Sequence, residues 1–305
     1  MGWRTVYISN KNNLSQSLNN LIIKSKDGQT VSVPLNDISV VVLDNLQTNI
    51  SASLLSKFAD EGISLFVCDY KHMPSGICIP FNNHSRLTGI SKLQICSSEP
   101  FKKRCWQKII QAKISNQANV IKLLRLENYI LLENLSKKVS SGDASNIEGQ
   151  SAKIYWKSLF GDFIRTNKPS KIKNDDIRNI ALNYGYSIIR GTIARSIAAA
   201  GLFPSIGVHH SNDLNSFNLA DDFIEPFRPF VDIEVYNMYV KNRSDFSLVN
   251  FIKTDKIKLL ELLQKNVFID NKKETILNAI EVSIYSFVKA VKEKEPYKIL
   301  LPSFL

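Results

Sequence analysis

The apolar pattern of this chain changes period once, near residue 85, and that change limits the fold more than any single motif. Through the first eighty residues the apolar runs are short and rich in Val and Ile: TVYIS, NLIIKS, TVSVP, ISVVVL, ISLFVCD and GICIPF. Turn formers such as Lys26-Asp27-Gly28 separate them, as expected of β-strands. One helix interrupts the series, SASLLSKFADEG, which opens on Ser and stops at Gly62. Beyond residue 85 the spacing becomes helical over 99–137, 146–160, 174–200, 215–241, 255–266 and 273–293, with Gly201 closing the fourth. The expected fold class is α+β: a small N-terminal β-domain over 1–82, then a larger all-α domain over 83–305.

Charge divides along the same line. The net charge is +11, yet residues 1–80 carry six basic and six acidic side chains, and 174–305 carry sixteen of each. Residues 81–173 hold seventeen basic against six acidic, so the whole excess lies in the middle third. A localised excess points to a polyanionic partner, nucleic acid first, where a uniform one serves solubility. The densest apolar run, ISVVVL, is far short of the roughly 20 residues that span a bilayer. The start, MGWRTVYISN, has no signal-peptide core, and Val6 stands where a myristoylation signal needs Ser or Thr. A cytoplasmic protein with no membrane contact is expected. Cys68, Cys78, Cys96 and Cys105 lack zinc or disulfide spacing and read as buried free thiols.

The stretch NLADDFIEPFRP (218–229) raises a chemical question, because Asp221, Asp222 and Glu225 fall within five positions. On a helix Asp222 lies three residues and Asp221 four residues before Glu225, so both pairs share a face. Such like-charge pairs cost roughly 0.2–0.5 kcal/mol each when exposed and more when buried. Pro226 disfavours helical geometry at Glu225, so a bend is expected there. Two readings stand: a charged face meeting solvent, with Asp221 at least solvated, or carboxylates turned into a cleft for metal or acid/base work. Interleaved Phe217, Leu219, Phe223, Ile224 and Phe227 favour the cleft. His209 and His210 follow the loop GLFPSIG, and imidazole with carboxylates suits Mn²⁺, with Mg²⁺ as the other choice.

Glu148 sits in the first turn of the helix expected over 146–160, where the helix dipole alone would favour an acid. Gly149 beside it costs about 1 kcal/mol relative to Ala in a helix, which suggests room for a close approach to Glu148. Upstream, FKKRCWQKIIQAKISNQANVIKLLR gathers Lys102, Lys103, Arg104, Lys108 and Lys113 into a cluster that could track phosphates, with Trp106 read as a core anchor. RTNKPSKIKN (165–174) reads as an exposed basic loop that orders on a nucleic-acid backbone.

Taken together, NIEGQSAKIYW, GLFPSIGVHH, DDFIEPFRPFVD and the helix NYGYSIIR resemble the CRISPR-associated integrase family, the nuclease-integrases that insert new spacers into CRISPR arrays. The wording HHSNDLNSFNLADD is closest to the type II branch. The resemblance implies a β-sandwich-like N-terminal domain for dimerisation and partner contact, followed by a helical catalytic and DNA-binding domain. It implies Glu148, His210 and Glu225 as catalytic metal ligands for Mn²⁺ or Mg²⁺. Asp222 and His209 would support them, and Arg228 would pair with Asp222 or touch a phosphate. The implied partners are double-stranded DNA fragments and CRISPR repeat DNA, a homodimer, and a small ferredoxin-like protein completing a heterohexamer. Type II accessory and effector proteins could join them. The implied chemistry is attack of a captured fragment's 3′-OH on a phosphodiester at the repeat ends, without ATP. Two other readings remain: a non-catalytic DNA-binding assembly subunit with a structural acidic cluster, and an isoprenoid synthase. The second is weakened by the missing third carboxylate beside Asp175-Asp176.

Overall fold

The computed structural model describes residues 2–80, 87–166, 176–240 and 250–305. Its N-terminal part holds β1 (Arg4–Ile8), β2 (Asn12–Ser17), β3 (Asn20–Ser25), β4 (Thr30–Pro34), β5 (Ile38–Leu43), β6 (Asn49–Ile50), α1 (Ala52–Asp60), β7 (Ser64–Cys68) and β8 (Pro74–Cys78). These strands form two four-stranded sheets, ordered β1-β5-β7-β8 and β4-β3-β2-β6. Sequence analysis missed β2, since NNLSQS has one apolar residue and no alternation. Pairing with β3 from Asn12↔Ser25 to Ser17↔Asn20 holds it in place. The helix α1 opens on Ser51, whose side chain accepts from Leu54 N, and Gly62 takes the left-handed φ of +69° just past its end. The boundary expected at 82/83 falls among 81–86, outside the described residues.

The remainder holds α2 (Leu87–Ile95), α3 (Glu99–Leu123), α4 (Tyr129–Lys138), α5 (Ile147–Phe160), α6 (Ile177–Ala199), α7 (Asn218–Ile224), α8 (Arg228–Tyr239), α9 (Lys253–Glu261), β9 (Asn266–Ile269), β10 (Lys272–Thr275) and α10 (Ile276–Glu293). The single helix expected over 99–137 is two, because Arg125 and Asn128 adopt positive φ at the break. The expected all-α character needs one correction: β9 and β10 form an antiparallel hairpin. Asp270 and Asn271 supply the two positive φ values that a tight two-residue hairpin turn demands. Most of the basic loop expected at 165–174 lies outside the described residues. Its first member, Arg165, is folded onto Asn179 and Asn183 of α6 at 3.0 and 2.7 Å. All four thiols are free, but only Cys68 and Cys105 are buried; Cys78 and Cys96 are exposed. Among the described residues no helix is long and apolar enough to cross a membrane.

Strand β5 explains how the two parts become one body. Val40 and Val42 face the helical core, whereas Val41 and Leu43 face the core between the two sheets. A strand buried on both faces reads as a continuous apolar run, and ISVVVL is one. The helix α6 lies against the same sheet, so closely that a Cβ on Gly191 would stand 2.2 Å from Phe66. Just past β5, buried Asp44 pairs with buried Lys256 of α9 at 2.9 Å. Tyr7 Oη donates to Asp44, and His72 Nδ1 lies 3.0 Å from its other carboxylate oxygen.

Removing one partner of a buried pair strands the other charge, at a cost of about 3–5 kcal/mol. Asp44→Ala should therefore lower the unfolding free energy by that order in urea titration. The double replacement Asp44→Asn/Lys256→Met should recover most of the loss, which a merely exposed pair would never have shown.

Candidate active site

Four segments distant in sequence meet beside α3. That helix presents Trp106 and Lys113, two turns apart, on the stripe that also carries Ile109, Ile110 and Ile114. The start of α5 brings Glu148, and the loop after α6 brings His209 and His210. The turn from α7 into α8 brings Asp221, Asp222, Glu225 and Arg228. The departure from helical geometry expected at Glu225 is not found, since Glu225 holds φ −54° and ψ −46°; Pro226, with no N–H to give the helical ladder, ends α7 at Ile224 instead. Glu225–Phe227 then tighten into a single 3₁₀ turn before α8.

Each acid is held differently. Asp222 is wholly buried and accepts from three successive backbone amides, Val208, His209 and His210, at 2.6, 3.3 and 3.1 Å. His210 Nδ1 lies 2.8 Å from the same carboxylate. Gly207 makes that loop possible, since a Cβ there would stand 2.3 Å from the His210 carbonyl oxygen and 2.6 Å from Asp222. The hydrogen bond to Asp222 raises the His210 pKa against burial, and Glu225 adds to the rise. Of the adjacent pair, His210 is the ring that Asp222 orients, through Nδ1. His209 instead stacks flat on Trp106, centroids 4.1 Å apart and planes within 3°. Trp106 itself is buried, as a core anchor should be.

The solvated role expected for Asp221 is corrected. Arg190 of α6 grips it at 2.5 and 2.9 Å, and Asn215 adds 2.6 Å. Burial pushes its carboxyl up, but Arg190 prevails and holds it below the usual range. Arg228 is also reassigned, because its partner is Glu225 at 2.8 Å rather than Asp222. Its guanidinium lies 4.5 Å over the Tyr186 ring, and Tyr186 with Tyr155 donates to buried Asp232. Burial lifts Asp232 to about 6 despite those bonds.

Lys113, expected on the phosphate-tracking face, is instead buried inside the site. Its Nζ lies 2.6 Å from Glu148 Oε1 and 2.6 Å from Glu225 Oε2. Burial opposes the charged form of Glu225, but Arg228 and Lys113 hold its carboxyl down at about 2. Glu225 Oε2 is buried and faces the ammonium as an ion pair. The other four basic residues lie toward the start of α3. Lys103 and Arg104 are exposed, Lys102 pairs with Glu99 at 3.0 Å, and Lys108 Nζ donates to the Tyr297 carbonyl at 2.5 Å.

The room read beside Glu148 belongs to a cap. A Cβ on Gly149 would stand 2.7 Å from the side chain of Asn146, which accepts from Gly149 N. Asp143 accepts from the amides of Ile147 and Glu148, both at 2.9 Å. Sequence reasoning missed Lys113, Asp143, Arg190 and Asn215 as site partners. One signal was available: a lysine on the apolar stripe of a long helix implies a buried anion.

Carboxylate oxygens are the donors a hard divalent cation takes. Here two carboxylate oxygens, from Glu148 and Glu225, share one ammonium, each at 2.6 Å. Among the described residues, no three His, Cys, Asp or Glu side chains are gathered tightly enough to hold a metal ion. The cation now between Glu148 and Glu225 is Lys113.

Comparison with known proteins adds the following. The model of the family described as CRISPR associated protein Cas1 matches residues 6–271. A CRISPR-associated endonuclease Cas1 from Neisseria meningitidis serogroup C is 37% identical over 308 aligned residues, covering 100% of this chain and 97% of that protein. A casposase bound to integration product shares the fold, with a TM-score of 0.78 at 19% identity over 95% of this chain and 91% of that one. A chain of a Cas6-RT-Cas1–Cas2 complex matches 97% of this chain and 36% of its own length, with a TM-score of 0.71 at 18% identity.

Asp222→Asn would leave at least one amide of the 208–210 loop without its acceptor. Hydrogen exchange at Val208, His209 and His210 should then rise about tenfold or more, the equivalent of one lost hydrogen bond. Unchanged exchange would show that the loop holds itself without Asp222.

Proposed function

The chain belongs to the Cas1 family of CRISPR-associated proteins, and from that premise we propose that it is a metal-dependent DNA endonuclease and integrase. In this reading it inserts captured DNA fragments into a CRISPR array as new spacers. The observation that carries the proposal is that Glu148 and Glu225, seventy-seven residues apart, meet at one ammonium, while Asp222, three residues before Glu225, orients His210. A 37% identical relative named as an endonuclease and a fold shared with a casposase on its integration product support it.

Glu148, Glu225 and Nε2 of His210 would hold Mn²⁺ or Mg²⁺. When bound, such an ion polarises a phosphoryl oxygen and offsets charge on the attacking and leaving oxygens. The chain's own residues do the rest. Asp222 fixes the imidazole through Nδ1, so Nε2 points one way. Arg228 holds Glu225 ionised and fixes its angle, while the Tyr186 face and Asp232 behind it keep the guanidinium in place. In the exchange, the fragment's 3′-oxygen bonds to phosphorus as the bond to the repeat strand's 3′-oxygen breaks, and that oxygen leaves carrying the proton. One phosphodiester replaces another, so no ATP is consumed.

The exposed start of α3, with Lys102, Lys103 and Arg104 and with Lys108 a turn beyond, is proposed as the duplex track. The proposed partners are double-stranded fragments, repeat DNA, a second copy of this chain and a small ferredoxin-like protein. A Cas1–Cas2 complex contains a chain of this fold, which supports the last.

Half-site integration measures the proposal. Strand transfer should require Mn²⁺ or Mg²⁺ and vanish in EDTA. Glu148→Gln, His210→Ala and Glu225→Gln should each lower it by at least about a hundredfold, of the order seen when one transition-state stabiliser is removed, with duplex affinity nearly unchanged. Strand transfer that persists in EDTA would sink the metal site. Duplex binding with no strand transfer under any divalent ion would favour the DNA-binding assembly subunit instead.

Salt dependence tests the track separately. Replacing Lys102, Lys103, Arg104 and Lys108 with Ala should weaken duplex binding and reduce the slope of log K against log salt by about 0.9 per lost phosphate contact. A slope equal to that of the wild type would remove this helix from the DNA path.

A further inference from the structure

Lys113 is an unusual choice for its position. It follows Ile109 and Ile110 on the buried stripe of α3 and precedes Ile114, with 9% of its surface exposed. A lysine is kept at such a place only when its charge is met. Two carboxylates meet it, Glu148 and Glu225, each with an oxygen 2.6 Å from Nζ. The two bonds are not alike. Glu148 Oε1 accepts a well-directed hydrogen bond from the ammonium, whereas buried Glu225 Oε2 meets it at the same distance but off the direction of a regular hydrogen bond. One oxygen of Glu225 is thus balanced in charge by a less well directed contact than Glu148 has.

The balance of charge is equally specific. Glu148 and Glu225 bring two negative charges, and Lys113 and Arg228 bring two positive ones. Arg228 is pinned to Glu225 Oε1 and to the Tyr186 face. Lys113 alone spans both acids, on a flexible four-carbon stem whose ammonium donates in any direction. It stands at the point a cation must occupy to bind Glu148 and Glu225 together.

We propose that Lys113 is the resident counter-cation of this site: it neutralises Glu148 and Glu225 until a divalent ion is loaded, and withdraws to admit it. The inference rests on the metal-site reading above. It makes Lys113 a positioning residue that keeps two like charges together in the unloaded protein and sets the affinity for the ion that replaces it. Loading becomes an exchange of a monocation for a dication, so the folded cleft survives in either state.

The test uses Mn²⁺ itself as the probe, read by electron paramagnetic resonance of the free ion during titration of the full-length protein. Lys113→Gln removes one positive charge at contact distance, so its Mn²⁺ affinity should exceed the wild type's by about tenfold or more. Lys113→Arg, which keeps the charge, should bind no more tightly than the wild type. Without divalent ions, Lys113→Gln should melt below the wild type, and Mn²⁺ should raise its melting temperature by more than it raises the wild type's. Equal Mn²⁺ affinity in the wild type and Lys113→Gln would overturn the proposal. If Glu148→Gln and Glu225→Gln bind Mn²⁺ as the wild type does, the metal site itself falls, and this inference with it. A measurement on the wild type alone covers the case in which Lys113→Gln does not fold. Acetylation of Lys113, followed by mass spectrometry, should be slow without divalent ions and faster with Mn²⁺; unchanged protection would also overturn the proposal.

Discussion

Two carboxylates that share a buried cleft repel each other, and the helical part of this protein is arranged around that constraint. Glu148 and Glu225 come from elements that would have no reason to approach without a cation between them. Lys113 supplies it from α3, and Arg228 supplies a second from the chain's own next turn. Attraction at 2.6–2.8 Å in a medium less polar than water exceeds the cost of each desolvation only when the geometry is fixed. The surroundings therefore show rigid supports rather than loops: a long helix, a capped helix start, and a 3₁₀ turn at Pro226 joining two helices.

The supports reach beyond the site. Asn116, one turn past Lys113 on α3, donates to the carbonyls of both Pro226 and Pro302 at 2.9 Å. It thereby ties the Glu225 turn to the C-terminal segment, where Phe304 stacks on Phe230 of α8 with centroids 4.2 Å apart. On the opposite side Asp222 gathers three amides and an imidazole from one loop. Gly207 is needed because a Cβ there would stand 2.6 Å from the carboxylate that the loop wraps. Such a nest holds negative charge without a counter-ion, which explains how Asp222 can sit three residues from Glu225 without needing a cation of its own.

The change of hydrophobic period was enough to read the overall fold, because period reports burial and burial was what divided the chain. Local exceptions escaped it for physical reasons. β2 is held by its neighbours rather than by an apolar face, and the break after α3 uses Arg125 and Asn128 in left-handed geometry without Gly or Pro. At the site, the types of residue and their neighbourhoods were legible, but their pairings were not. Asp221 seemed solvated because Arg190 lies thirty-one residues away on another helix, and Arg228 seemed equally able to meet either acid. Gly149 suggested an approaching ligand, whereas its space is filled by the cap three residues before it. Each miss is a contact between segments that only the packing of α3, α6 and α8 brings together.

Lys113 shows where such reading can go further. Counted with its basic neighbours it belonged to a phosphate track; placed on its helix it belonged to the apolar stripe, and those two assignments conflict. The conflict itself carried information, since a lysine among isoleucines must have an anion to meet, and the anions nearest in chemistry were the unpaired acids of the other motifs. The same argument explains why NLADDFIEPFRP tolerates so much like charge. Its three acids are not one cluster but three separate solutions: Asp221 bound by a guanidinium, Asp222 by backbone amides, and Glu225 by an ammonium and a guanidinium. Only the last shares its lysine with a second acid from another helix, Glu148.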